Sequence, residues 1–131
     1  MSGDALREML RVRALVIEDQ FLIATLIEDE LADLGYTVCE IVDREEDAVA
    51  AAAARCPDLI IADDKLTSGS GVAAVLEICA HQVIPIVFVV GDPGALVPPL
   101  PFATVIGKPF NGRKLRWAIE EAIEAAGAAT A

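Results

Sequence analysis

Ala14-Leu15-Val16-Ile17-Glu18-Asp19 is the stretch that decides the fold: four apolar residues run straight into two carboxylates. A continuous apolar run of this length reads as a strand buried on both faces, as in parallel sheets, because a half-exposed strand would alternate apolar and polar residues. The same order recurs twice. Leu59-Ile60-Ile61-Ala62 leads into Asp63-Asp64, and Ala103-Thr104-Val105-Ile106 leads through Gly107 to Lys108. In an open α/β sheet the carboxyl ends of the strands share one edge, and ligands bind there. Carboxylates gathered at that edge repel one another unless a hard cation lies among them, and Mg2+ suits oxygen ligands that leave room for water and phosphate. The three runs therefore predict a metal and phosphoryl site where Glu18-Asp19, Asp63-Asp64 and Lys108 converge.

The intervening sequence alternates helix and strand patterns. From Phe21 to Leu34, apolar residues at Ile23, Ile27, Leu31 and Leu34 alternate with Glu28, Asp29 and Asp33, the spacing of a helix with one buried face, and Gly35 stops it. Tyr36 to Val42 is β-rich. Asp43 and Glu46 form a capping-box pattern for an alanine-rich helix that ends near Arg55, before the helix-breaking Cys56-Pro57. The loop Thr67-Ser68-Gly69-Ser70-Gly71 leads into a helix with an expected inner face of Val72, Val75, Leu76 and Cys79. Ile84 to Val90 reads as the fourth strand. Asn111 caps a last helix striped by Leu115, Ile119, Ala122 and Ala126. Between the fourth and fifth strands, Gly91 to Pro101 holds Pro93, Pro98, Pro99 and Pro101, which rules out a helix of ordinary length and predicts an extended loop or a single turn.

Composition bounds the function. At 131 residues and 55% hydrophobic, the chain has room for one domain with a real core. A net charge of -11, with no basic stripe to offset it, argues against binding DNA, which depends on neutralising phosphates. Cys39, Cys56 and Cys79 sit in apolar sequence and read as small core residues in a reducing compartment; with His81 as the sole histidine they do not spell a zinc site. His81 itself reads as a partner for a helix C-terminus or as a surface residue. The N-terminus carries Asp4 and Glu8 without a continuous apolar stretch, so neither a signal peptide nor a membrane span is expected, and the protein is expected to be cytoplasmic.

Ala14-Leu-Val-Ile-Glu18-Asp19, Pro57-Asp-Leu-Ile-Ile-Ala-Asp63 and Lys108-Pro109-Phe110, in that order and spacing, resemble the receiver domain of two-component response regulators. The resemblance covers about residues 12 to 126, leaving residues 1-11 as an N-terminal extension and 127-131 as a C-terminal tail. It implies an α/β fold: a doubly wound five-stranded parallel sheet of the flavodoxin-like receiver type, strand order 2-1-3-4-5, here with a reduced fourth crossover helix. It implies that Asp63 accepts a phosphoryl group from a sensor histidine kinase or a histidine phosphotransfer protein. It further implies that Glu18, Asp19, Asp63 and the backbone carbonyl of Lys65 hold Mg2+, that Lys108 contacts the phosphate, and that the Lys108-Pro109 bond is cis. The signal would then pass to a downstream protein by contact, with no DNA and no membrane involved.

The chemistry agrees with those roles without the family. A carboxylate is a competent nucleophile toward phosphorus, and a cation with an ammonium can offset charge on the equatorial oxygens. Strand alternation favours Asp63 over Asp64, which is expected to point away. The sequence departs from the resemblance at two points. Val90 stands where receivers usually end the fourth strand with Ser or Thr, and the fifth strand has Val105, Ile106 and Gly107 where an aromatic is usual. A receiver-fold scaffold that binds a partner without phosphorylation is therefore the alternative. A haloacid-dehalogenase-type phosphatase is disfavoured because Lys65 would occupy the place of its general acid, and a toprim-like nuclease because the Asp-x-Asp spacing and a basic surface are missing. Trp117 lies nearly opposite the last helix's apolar stripe, packing shallowly or marking a partner surface.

Overall fold

A computed structural model describes residues 12 to 130; the expected N-terminal extension, residues 1 to 11, lies outside the described residues. Five strands form one parallel sheet: β1 (Val12–Ile17), β2 (Tyr36–Val42), β3 (Leu59–Ala62), β4 (Ile86–Val90) and β5 (Ala103–Gly107), in the order β2-β1-β3-β4-β5. Four helices are described: α1 (Phe21–Asp33), α2 (Glu45–Ala54), α3 (Gly71–Ile78) and α4 (Gly112–Thr130). This is the doubly wound five-stranded architecture, in the strand order, that the resemblance implies.

Alternation along the strands divides the core into two layers. Leu15, Ile17, Ile60, Ala62, Ile86, Phe88 and Val90 face α2 and α3, where Ala48, Ala52, Ala74 and Val75 are buried against them. Ala14, Val16, Leu59, Ile61, Val87, Val89 and Ile106 face the other way, onto Ile27 and Leu31 of α1 and Leu115, Ala118, Ile119 and Ala122 of α4. β1, β3 and β4 thus have helices or loop on both faces, which is why their sequences lack polar alternation. Between β1 and β2 the register skips Cys39, which bulges and places its thiol 3.2 Å from the Ala14 carbonyl.

The fourth crossover is reduced as expected. Its only regular element is a single 3-10 turn, Pro93–Ala95, and the sheet face that a longer helix would cover is sheltered by Leu96, Leu100 and Phe102. Val97 points outward at 84% exposure.

The structure departs from the local sequence patterns at several places. The Asp43/Glu46 capping box does not form: α2 begins after Arg44 with no side-chain cap, because Asp43 is engaged with Thr67, accepting its hydroxyl at 3.3 Å and its amide at 3.0 Å through the backbone carbonyl. Of the expected inner face of α3, Val75 is buried and Val72 and Cys79 pack partly buried against the same core, while Leu76 is exposed; Gly71, Ala74 and Ile78 complete the buried stripe, with Gly71 set against the Asp63 carbonyl just past β3. β4 begins at Ile86, since Pro85 has no N–H to offer the ladder. Cys56 is exposed on the turn after α2 and is not a core residue; Cys39 and Cys79 are half-buried. The last helix continues through residues 127 to 130, which were read as a tail, because the alanine-rich sequence there has no breaker apart from Gly127.

Candidate functional site

The three apolar runs end where the sequence places them, two in carboxylates and one at Lys108. β1 stops at Ile17 and β3 at Ala62, so Glu18 and Asp63 leave adjacent strands side by side, tied by the Asp63 amide to the Ile17 carbonyl at 2.8 Å. Lys108 follows β5 on the far side of β4, and its amide donates to the Val90 carbonyl at 2.8 Å. The Lys108-Pro109 peptide is cis, as the resemblance implies. From this anchor the Lys108 ammonium reaches back across the strand ends to Glu18 Oε1 at 2.8 Å and Asp63 Oδ2 at 2.9 Å.

Glu18 and Asp63 are buried, at 3% and 8% exposure, whereas Asp19 is exposed. Burial raises the Glu18 carboxyl above its ordinary value, and the neighbouring Lys108 ammonium and the hydrogen bond from the Gln20 amide offset this only in part. For Lys108, burial opposes the charged form, but the hydrogen bonds and charges of Glu18 and Asp63 together outweigh it and raise the ammonium's pKa. Asp63 Oδ1 accepts the Asp64 amide at 2.7 Å, which fixes the plane of the carboxylate. Asp64, half-buried, also borders the cavity.

One carboxylate oxygen from each of Glu18, Asp19 and Asp63 lies within 4.8 Å of the others. With Lys108 the only cation paired to them among the described residues, the cluster keeps two net negative charges, which one divalent cation would cancel. Glu18 Oε1 lies near Lys108 but off the line of a good hydrogen bond, so this buried oxygen retains acceptor capacity. All-oxygen donors with one exposed member fit Mg2+, which holds few protein ligands and keeps its water. Lys65 lines the cavity with its side chain exposed to solvent.

A cavity of about 540 Å³ opens above the cluster. Asp19, Asp63, Asp64, Lys65 and Lys108 supply its charged lining, while Val90 at the end of β4 and Ala95 and Leu96 of the proline-rich loop supply its apolar lining. Three contributors escaped the sequence reading. Gln20 presents Oε1 to Lys108 at 3.3 Å; its place directly after Glu18-Asp19 was the available signal. Gly71 carries no Cβ because one would collide with the carbonyl oxygen of Asp63, so α3 packs directly against the loop that carries Asp63. Gly107 likewise admits Pro93, whose Cγ lies 2.9 Å from where a Cβ would stand, and this seats the loop beside Lys108.

The response regulator receiver domain family matches residues 14–120. The chain belongs to that family. It is 31% identical over 127 residues to the phyllosphere-induced regulator PhyR of Methylorubrum extorquens, a match covering 93% of this chain and 47% of PhyR. Among solved structures, the receiver domain of Erythrobacter litoralis PhyR superposes with a TM-score of 0.77 at 27% identity, covering 89% of this chain and 93% of that one. The anti-anti-sigma factor PhyR of Bartonella quintana gives 0.78 at 28% identity, covering 98% of this chain and 54% of the other. The chain therefore spans about half the length of full PhyR proteins. No described helix is long and apolar enough to cross a membrane.

Proposed function

We propose that this receiver domain accepts a phosphoryl group on Asp63 from a phosphohistidine of a sensor histidine kinase or a histidine phosphotransfer protein, in the cytoplasm, and passes its state on by protein contact. The observation that carries this is the seating of Asp63: one carboxylate oxygen on the Asp64 amide, the other on the Lys108 ammonium, beside Glu18 and Asp19. Asp63 forms the new P–O bond as the P–N bond of the donor breaks, and the imidazole nitrogen leaves with that electron pair and takes up a proton. Lys108 is free to follow the charge from the carboxylate to a phosphoryl oxygen. Mg2+, held by Glu18, Asp19, Asp63 and the Lys65 carbonyl, would supply the remaining compensation for the phosphoryl oxygens. Gly71 keeps the acceptor loop in place from below.

Output by contact is supported by PhyR of Bartonella quintana, which is an anti-anti-sigma factor and so by its description acts on another protein. Incubation with acetyl phosphate and Mg2+ followed by intact mass tests the assignment. Wild type and Asp64→Asn should gain one phosphoryl group, and Asp63→Asn none; labelling that persists in Asp63→Asn would falsify it.

The second reading, a scaffold that binds its partner irrespective of phosphorylation, is favoured by Val90. Its side chain is buried in the cavity wall where a hydroxyl would otherwise meet the phosphoryl group. Equal capture of a partner by wild type, phosphorylated protein and Asp63→Asn would select this reading.

A further inference from the structure

We infer that the outer face of α4 is a contact for a second copy of this chain, packed antiparallel across a twofold axis. The helix turns Leu115, Ala118, Ile119, Ala122 and Ala126 into the core. At 100° per residue the opposite face carries Arg113, Arg116, Trp117, Glu120 and Glu124, all exposed. Basic residues come first, the indole follows, and acids come last.

That order is unfavourable for an isolated helix. The positive end of the helix dipole lies at the N-terminus, where acids stabilise, yet the first turn of α4 contains no acid and holds Arg113 and Lys114. Arg116 preceding Glu120 by four residues is also the weaker orientation for a pair within one helix. Among the described residues, the ion pairs formed both involve Lys108, so these side chains are not arranged to neutralise one another. Trp117 remains 45% exposed with the Lys114 ammonium 4.2 Å from its ring centre. An aromatic left in water between blocks of opposite charge is a common composition for a contact surface.

An antiparallel copy resolves each of these features at once. With the twofold axis between Trp117 and Glu120, Arg113 meets Glu124 of the second copy and Arg116 meets its Glu120 and Glu121, and every pair occurs twice. The two indoles flank the axis and cover each other's apolar faces. A partner with a uniformly acidic surface would suit only the first half of the helix and would be repelled by the second. One helix face is a small interface, so the association should be weak and salt-sensitive.

Sedimentation of the full chain at low salt, from about 10 µM to about 1 mM, covers the affinity range of so small an interface. Wild type should dimerise, and Trp117→Ala should weaken the dimer by about tenfold. Arg113→Glu/Arg116→Glu and Glu120→Arg/Glu124→Arg should each be monomeric while keeping the wild-type circular dichroism spectrum. Mixed one to one, the two variants should associate, because each face now meets its opposite charge in both contacts. A wild type that stays monomeric throughout overturns the proposal, as does a mixture of variants that fails to associate or an acidic-block variant that dimerises as wild type does.

Discussion

The two walls of the site are built on different principles. Glu18 and Asp63 are buried beside the Lys108 ammonium that pairs with both, and the backbone amides of Gln20 and Asp64 hold their remaining oxygens. Across the cavity, Val90, Ala95 and Leu96 offer the same space no hydrogen bond from a side chain. A ligand shifts a conformational equilibrium only through contacts that differ between the two states. On the proposed function, the charged lining carries the acceptor chemistry, while the apolar lining offers no side-chain hydrogen bond through which a phosphoryl group on Asp63 would be registered.

The largest test removes the cation from the charged wall. Lys108→Met leaves Glu18 and Asp63 buried without a counter-charge, and breaking a buried pair in this way costs about 3 kcal/mol. Metal-free protein should show that loss in urea unfolding, and Mg2+ should restore much of it. Labelling of Asp63 should slow by about a hundredfold. A variant as stable as wild type without metal would mean that the buried carboxylates are not ionised together.

A middle-sized effect concerns repulsion. Asp19→Asn should melt higher than wild type without metal, by the equivalent of about 0.5–1 kcal/mol, and should lose most of the stabilisation that millimolar Mg2+ gives wild type. An unchanged Mg2+ response would show that Asp19 is not part of the metal site. The pH dependence follows from Glu18, whose carboxyl is raised in the folded state by burial. Between its unfolded and folded pKa the native state binds the extra proton, so this group costs stability above the folded value and the cost is relieved as pH falls toward 4.5. Metal-free Glu18→Gln should lack that segment of the pH profile. If its profile matches wild type, another group is responsible.

The smallest effect lies on the apolar wall. With beryllofluoride and Mg2+, changes in amide exchange should stay within the loops around Asp63 and residues 91 to 101. Val90→Thr should enlarge the response if the missing hydroxyl limits it, and leave it unchanged if the short crossover does. A cooperative change through α4 in wild type would erase the contrast between the walls.

The charged wall was legible in the sequence because it rests on backbone periodicity. An apolar run fixes where a strand ends, and the residue after it is at the edge whatever its side chain. Glu18, Asp19, Asp63 and Lys108 could be brought together on that basis alone, along with the strand order that the resemblance implied. The apolar wall was legible only as an absence of helix. Nothing in Gly91 to Pro101 announces that Pro93 would seat on Gly107 or that Ala95 and Leu96 would face the acceptor, since those are contacts between a loop and a distant strand. The Asp43 misreading has the same origin. A capping pattern is local, but Thr67 arrives from elsewhere in the chain and takes the carboxylate. Likewise, burial of Glu18 beyond that of Asp63 follows from its position between β1 and the covering Lys108, which spacing cannot reveal.

The four prolines of the β4-β5 connection give that wall a second character. The loop makes few hydrogen bonds, and a folded-state inventory would count it as weak. Its contribution lies instead in the unfolded chain, where each fixed φ removes conformations that would otherwise compete with the native one. Four such restrictions within a dozen residues also lower the entropy lost when β4 and β5 pair across so short a span. The loop can thus keep its place beside the acceptor with little to hold it there, because the chain has few other shapes to take.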